Sequence, residues 1–159
     1  MTRYKALMSI VTMLIGQSAP GYANPEKSSL ETIVQAIATI SSEDWEAETL
    51  TRIAWYESGF RKEYINCTIV GKHRDSGAFQ VIPRNHSEAL LACSSNHEEQ
   101  VKLALSRIRE SRKLCESNGF RGSDVLSGYT VGKCTKGESL ARARFGDGTL
   151  VRTLMAKHE

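Results

Sequence analysis

The first 23 residues constrain this chain most, because they decide the chemical state of its four cysteines. They run from a basic start through an apolar stretch, residues 6–15, to a polar tract that ends in Gly21-Tyr22-Ala23. About ten apolar residues are half of the roughly 20 that span a bilayer, and small residues occupy the −3 and −1 positions before Asn24. We therefore predict a secretory signal peptide over residues 1–23, cleaved after Ala23. An uncleaved anchor or an amphipathic first helix is the alternative.

An exported chain meets an oxidising compartment, where cysteines form disulfides rather than remain thiols. Cys67, Cys93, Cys115 and Cys134 allow three connectivities. We predict that Cys67 pairs with Cys93, which would pin a long central loop. We also predict that Cys115 pairs with Cys134, which would tie the end of a long helix to a later segment. The predicted location is periplasmic or secreted.

Metal ligation is the rival interpretation of these cysteines, together with His73, His86 or His97. The chain lacks the C-x-x-C and H-E-x-x-H spacings that are typical of such sites. We predict neither a metal nor a cofactor.

Charge excludes one class of partner. Removal of the signal peptide takes away Arg3 and Lys5 and no acid, which leaves 19 basic against 18 acidic residues. A nearly neutral chain lacks the concentrated basic face of a nucleic-acid binder. We predict one monomeric domain, residues 24–159, with no nucleic-acid partner and no stable membrane anchor after cleavage.

Helical periodicity dominates the mature chain. Apolar residues spaced three and four apart predict helices that end near Ile40, Ser58 and Gly119, and shorter helices follow, with a break at Gly146-Asp147-Gly148. A serine at position 41 or 42 is expected to cap the second of these helices. Over residues 60–85 the period stops and β-branched residues favour short strands in a long loop. The fold class is mainly α, with a long central loop or small β element and disulfide bracing.

The outer face of the long third helix of the mature chain is basic, with acids interspersed. We interpret it as a solvated face rather than a site for an anionic polymer. Its basic residues are Lys102, Arg107, Arg109, Arg112 and Lys113.

A carboxylate occupies a core position in the second helix of the mature chain. Leu50, Ile53 and Ala54 define its inward stripe, and the next position of that series is Glu57. Burial beside the neighbouring aromatic residues would raise the pKa of this carboxyl, as a general acid near neutral pH requires. The alternative is that Glu57, in the last turn, reaches solvent or pairs with a neighbouring arginine.

Three segments follow one another in order: 54–60 (AWYESGF), 76–83 (SGAFQVIP) and 126–132 (LSGYTVG). They resemble the three ordered motifs of the lysozyme-like lytic transglycosylase (SLT) domain. Those motifs are E-S-x-F at a helix end, G-x-x-Q-x-x-P in the following loop, and A-Y-N-A-G further on. The third segment departs from the family pattern, since it has Thr130 where asparagine is common. The resemblance spans about residues 45–135 and implies a lysozyme-like α+β domain.

The resemblance also implies a reaction. Family members cleave the β-1,4 bond between N-acetylmuramic acid and N-acetylglucosamine in peptidoglycan, and most leave a 1,6-anhydro ring. Glu57 would be the single general acid and base, because the 6-hydroxyl of the sugar is the nucleophile and its N-acetyl group stabilises the cationic centre.

Other site residues are implied by the same matching. Tyr129 would hold the Glu57 carboxyl through its hydroxyl, and Gln80 would bind a sugar amide or hydroxyl. Ser58 would orient substrate, although a serine at a helix end often bonds the backbone instead. Gly77 and, in the third motif, Gly132 would let the backbone approach the glycan; ordinary turn glycines are the alternative.

Three functions remain open from the sequence. The first is a secreted lytic transglycosylase acting on peptidoglycan glycan strands. The second is a lysozyme-like hydrolase with water as nucleophile, for which Asp75 or Glu63 would supply the second carboxylate. The third is a catalytically silent glycan-binding component of a secretion apparatus. A short mature chain also suggests action alongside a larger cell-envelope machine.

Overall fold

The computed structural model describes residues 1–17, 25–136 and 146–157, with no account of the side chains of residues 130 and 131. The chain is mainly helical, as predicted. The residues between Gly137 and the expected break at Gly146 lie outside the described ranges. The helices are α1 (Arg3–Gly16), α2 (Lys27–Ile40), α3 (Asp44–Ser58), α4 (Lys62–Ile65), α5 (His86–Ala92), α6 (His97–Ser117), a 3-10 helix (Gly122–Leu126), α7 (Ser127–Val131) and α8 (Thr149–Ala156).

Helix α6 is the central element of the fold. It packs against α2, α3, α5, the 3-10 helix and α7. The stripe that periodicity predicts as its inner face is buried, because apolar residues three and four apart share one side of a helix. This stripe comprises Val101, Ala104, Leu105, Ile108 and Cys115.

The apolar stretch of the predicted signal peptide forms helix α1. Its inner side chains are buried, and it packs against α2, α3 and α8. Arg3 donates to the Asp44 carboxylate at 3.1 and 3.2 Å and to the Ser41 carbonyl at 2.7 Å. Helix α1 thus packs on the other helices when it is present in the chain, while cleavage after Ala23 stays a prediction. Among the helices of the described ranges, none has the length and apolarity to span a bilayer.

Helix α3 begins differently from the sequence expectation. Its cap is Glu43, whose side chain forms a capping box with Glu46, and no serine hydroxyl caps it. The buried Glu46 accepts the Arg109 guanidinium at 2.6 Å. Burial alone raises the pKa of Glu46, but Arg109 and the N–H groups of Glu43 and Ser42 outweigh it and hold that pKa below its usual range. A buried carboxylate with these partners replaces a serine in satisfying the helix start.

The C-terminus of α3 follows the prediction. Gly59 has the left-handed φ of 61° that ends many helices, and its N–H bonds the carbonyls of Ala54 and Trp55.

The central loop contains no strand in its described residues, which corrects the expectation of short strands. Only an isolated bridge joins Ser76 to Val81. Ile69 and Val70 favour extended structure, but they are 43% and 45% exposed and no neighbouring strand pairs with them. Strand propensity reflects packing against a partner, and this loop supplies none.

Both predicted disulfides, Cys67–Cys93 and Cys115–Cys134, are present. The first joins the loop after α4 to the end of α5, and the second joins α6 to the segment after α7. Each disulfide therefore crosslinks a segment outside the helices to a helix or to its end.

We expect the double variant Cys67→Ala, Cys93→Ala to lose about 3 kcal/mol of unfolding free energy, because the crosslink no longer restricts the unfolded chain. Urea unfolding of the oxidised proteins measures this loss. A variant as stable as the wild type would show that the native contacts alone hold the loop.

Candidate active site

Glu57 lies in the last turn of α3, and its side chain is half-buried. Ser58 and Trp55 beside it are buried, and Tyr56 is exposed. The Glu57 side chain lines a cleft of about 600 Å³. The end of α3 thus presents a carboxylate to a cavity large enough for sugar units.

The cleft brings together residues from all three sequence motifs. Glu57 comes from α3, Gln80 from the central loop and Tyr129 from α7. Residues of α6 complete the wall. The other lining residues are His73, Asp75, Val81, Ile82, Arg84, Arg107, Glu110, Ser111, Leu114, Gly128 and Gly132.

The Tyr129 hydroxyl connects α7 to the central loop. It donates a hydrogen bond to the Phe79 carbonyl at 2.9 Å. Burial and, secondly, the charge of Glu57 raise the pKa of the Tyr129 phenol, while the charge of Arg107 opposes them. The phenol is therefore neutral at physiological pH. Its proton is directed at the Phe79 carbonyl, and a phenol oxygen that donates in this way is also able to act as an acceptor.

Gln80 occupies a tight turn that is closed by two backbone hydrogen bonds between Ser76 and Val81, at 3.0 and 3.1 Å. Its φ of 47° is left-handed, which is unfavourable for a residue with a side chain. The side-chain Nε2 donates to the Gly77 carbonyl at 2.8 Å. The amide oxygen and the second N–H remain available to a ligand in the cleft.

Two substitutions at Gln80 separate backbone strain from binding. We expect Gln80→Gly to be more stable than Gln80→Ala by about 1 kcal/mol, because only glycine adopts this φ without cost. Both variants are expected to bind glycan more weakly than the wild type, since both lack the amide. Chemical unfolding and KM for soluble glycan strands measure the two effects. Equal stability of the variants would refute the strain, and an unchanged KM would remove Gln80 from the site.

Gly77 and Ser58 are buried and are not among the residues that line the cleft. A Cβ at Gly77 would clash with the Ala92 carbonyl oxygen, so the absence of a side chain here makes room for protein backbone. The Ser58 hydroxyl donates to the Ala54 carbonyl at 2.9 Å and accepts from the Phe60 N–H. Both residues thus match the structural alternatives that the sequence left open, a turn glycine and a backbone-bonding serine.

The two candidate second carboxylates separate in the structure. Asp75 lines the cleft, whereas Glu63 is exposed on α4 and is not among the lining residues. The Asp75 carboxylate accepts the backbone N–H of His73 at 3.1 Å. The cleft therefore holds two acids besides Glu57, namely Asp75 and Glu110, and Glu110 is paired with Arg84.

Ion pairs support the cleft wall on α6, where the sequence indicated only a solvated basic face. Arg107 donates to Glu88 at 2.7 Å, and Arg84 makes two bonds to Glu110, at 2.8 and 3.0 Å. The spacing of charges in the sequence contains no signal for these long-range pairs.

Gln100 is a second feature that the sequence reasoning missed. This residue is 2% exposed, and its side chain bonds three segments: the Ala78 N–H, the Ile65 carbonyl and the Ser94 carbonyl. The sequence signal that could have identified Gln100 is its position: it is a polar residue next to Val101, on the apolar stripe of α6.

Within the described ranges, no group of three His, Cys, Asp or Glu side chains is arranged to hold a metal ion. No family model matches the chain, and no curated protein or solved structure matches it.

Proposed function

We propose that this protein is a peptidoglycan lytic transglycosylase with Glu57 as its general acid and base. One observation carries the proposal: Glu57, Gln80 and Tyr129, from three separate segments, line one cleft. These are the residues in which the sequence resembles the motifs of the SLT domain.

In the proposed reaction Glu57 first acts as an acid. Its proton passes to the glycosidic oxygen, and the bond from that oxygen to C1 of N-acetylmuramic acid breaks. The N-acetyl group of the same sugar stabilises the positive charge at C1. The 6-hydroxyl then attacks C1, and its proton returns to Glu57, which regenerates the acid.

The neighbouring residues have complementary roles in this proposal. The Gln80 amide binds an N-acetyl or hydroxyl group, since its oxygen and one N–H are available on the cleft side of the turn. Tyr129 is neutral and accepts a hydrogen bond from the acid form of Glu57, which favours the protonated state before reaction. Its bond to the Phe79 carbonyl also keeps the Gln80 turn in place.

Lysozyme-like hydrolysis is the second candidate function, and the position of Asp75 favours it. A second carboxylate in the cleft can activate water or stabilise the cationic sugar, as two-carboxylate glycosidases require. In that case the products would carry reducing ends in place of 1,6-anhydro rings.

Export and wall-associated action complete the proposal. The two disulfides support an oxidising compartment, and the predicted signal peptide would direct the chain there. We propose a periplasmic or secreted enzyme whose partner is the glycan strand, with a cell-envelope machine as its setting.

Digestion of purified sacculi, with mass spectrometry of the products, tests the proposal. Anhydro ends support the transglycosylase, and reducing ends support the hydrolase. Asp75→Asn is expected to abolish cleavage only in the second case, with Glu63→Gln, a carboxylate outside the cleft lining, as the matched control. Absence of cleavage by the oxidised wild type would contradict both enzymes and leave the silent glycan-binding component.

A further inference from the structure

Arg107 links three elements around the cleft. From α6, its Nη2 donates to the Glu88 carboxylate of α5 at 2.7 Å and to the Ile82 carbonyl at 3.1 Å. Ile82 follows Gln80 by two residues in the same loop. The guanidinium thereby holds the end of the Gln80 turn against both helices.

The ion pair of Arg107 with Glu88 is largely shielded from solvent, with side-chain exposures of 14% and 21%. Burial alone raises the pKa of Glu88, but the Arg84 N–H and the Arg107 guanidinium outweigh it and leave that pKa below its usual value. The pair therefore stays charged at mildly acidic pH. Arg107 also has a buried Nε without a hydrogen-bond partner, an arrangement that costs stability.

Only one member of the Arg107–Glu88 ion pair lines the cleft. Arg107 lines the cleft and Glu88 does not, so the positive end of the pair faces the side that Glu57 lines. The other charged or titratable lining groups are His73, Asp75 and Arg84 of the central loop, Glu110 of α6 and Tyr129 of α7. Arg84 and Glu110 pair with each other and are 56% and 53% exposed, so solvent screens their field.

We propose that Arg107 is a positioning residue of the candidate site: Glu88 orients its guanidinium, the guanidinium holds the Gln80 turn, and its positive charge acts on Glu57. The charge of Arg107 already acts on the Tyr129 phenol, as does that of Glu57, which places both charges around one hydroxyl. This inference rests on the proposed function only where its test measures glycan cleavage.

Two substitutions that are expected to shift the pKa of Glu57 in opposite directions test whether the charge of Arg107 acts on it. A nearby cation favours an ionised carboxyl, so Arg107→Met is expected to raise the pKa of Glu57 by about half a unit to one unit. Glu88→Gln removes the anion that offsets Arg107 and is expected to lower the same pKa. The measurement is titration of the ¹³C-labelled Glu57 carboxyl by NMR, followed by the pH profile of kcat for glycan cleavage. If Arg107 and Glu88 had only a structural role, the Glu57 titration midpoint would stay in place in both variants or would shift in the same direction in both.

Arg107→Lys separates the charge from the geometry. Lysine keeps the charge but lacks the planar fork, so the Glu57 titration should stay within about 0.3 unit of the wild type while KM rises about threefold to tenfold. The matched control is Glu116→Gln, an exposed carboxyl on the same helix that pairs with Arg112 and is not among the residues lining the cleft, and it is expected to leave the Glu57 midpoint in place. If Arg107→Met fails to fold, the proposal is decided by whether Glu88→Gln lowers the pKa of Glu57 while Arg107→Lys leaves it in place.

The result that overturns the proposal is a Glu57 midpoint that is the same in the wild type, Glu88→Gln and any folded Arg107 variant. The proposed function fails separately. If the oxidised wild type cleaves no glycan, that function is lost, while the NMR titration still decides whether Arg107 and Glu88 act on Glu57.

Discussion

Replacement of Glu57 by glutamine is expected to lower the rate of glycan cleavage about 1,000-fold, the scale of a lost general acid and base. The amide has nearly the same shape but neither gives nor takes the required proton. Because the side chain is half-buried at a helix end, we expect the unfolding free energy to change by less than about 1 kcal/mol. Release of soluble fragments from labelled sacculi measures the rate, and urea unfolding measures stability.

The matched control for this variant is Glu63→Gln, the same chemical change at an exposed carboxylate of α4. It is expected to retain the wild-type rate. If Glu57→Gln keeps more than about a tenth of that rate while remaining folded, Glu57 is not the acid and base of the reaction. A folded, inactive variant beside an inactive wild type would instead point to the silent component.

Much of the helical fold was predictable because its signals are local. The apolar stripe of α6 and the glycine stop after α3 depend on residues a few positions apart, and both appear where expected. The cap of α3 was predicted wrongly, since a partner distant in sequence, Arg109, makes a buried carboxylate favourable at Glu46. Local propensity contains no information on such a partner.

The central loop shows the same limit of local propensity, here because an expected contact is missing. Its β-branched residues favour strands, but a strand forms only where another strand offers hydrogen bonds. Instead, local turns, the Cys67–Cys93 disulfide and long-range side-chain bonds fix the loop. The disulfide and the side-chain bonds join segments that lie far apart in the sequence.

The cleft combines predictable and unpredictable parts. The motif order identified Glu57, Gln80 and Tyr129, and the structure places all three at one cavity. The Tyr129 bond to Phe79 and the Arg107 bond to Ile82 were not predictable, because each ends on a backbone carbonyl. Every residue has a carbonyl, so side-chain chemistry gives no indication of which one is used.

Substitution of Gln100 by leucine is expected to cost about 3–5 kcal/mol of unfolding free energy. Leucine has a similar size, but it leaves the Ala78 N–H and the carbonyls of Ile65 and Ser94 without their bonds. Each buried polar group left unsatisfied costs about 1–3 kcal/mol. Such a loss is a large part of the 5–15 kcal/mol that is typical of a domain. Urea unfolding measures it, and faster hydrogen exchange at the Ala78 amide locates it.

The matched control is Gln35→Leu on the exposed face of α2, where the same chemical change is expected to stay within about 0.5 kcal/mol. Because the Ala78 N–H lies two residues before Gln80, Gln100→Leu should also loosen the turn and raise KM for glycan even under conditions where the variant is folded. Unchanged stability and exchange in Gln100→Leu would show that water replaces all three bonds. In that event the Tyr129 and Arg107 contacts, with the local turns and the Cys67–Cys93 disulfide, would hold the loop in place for Glu57 to act on substrate.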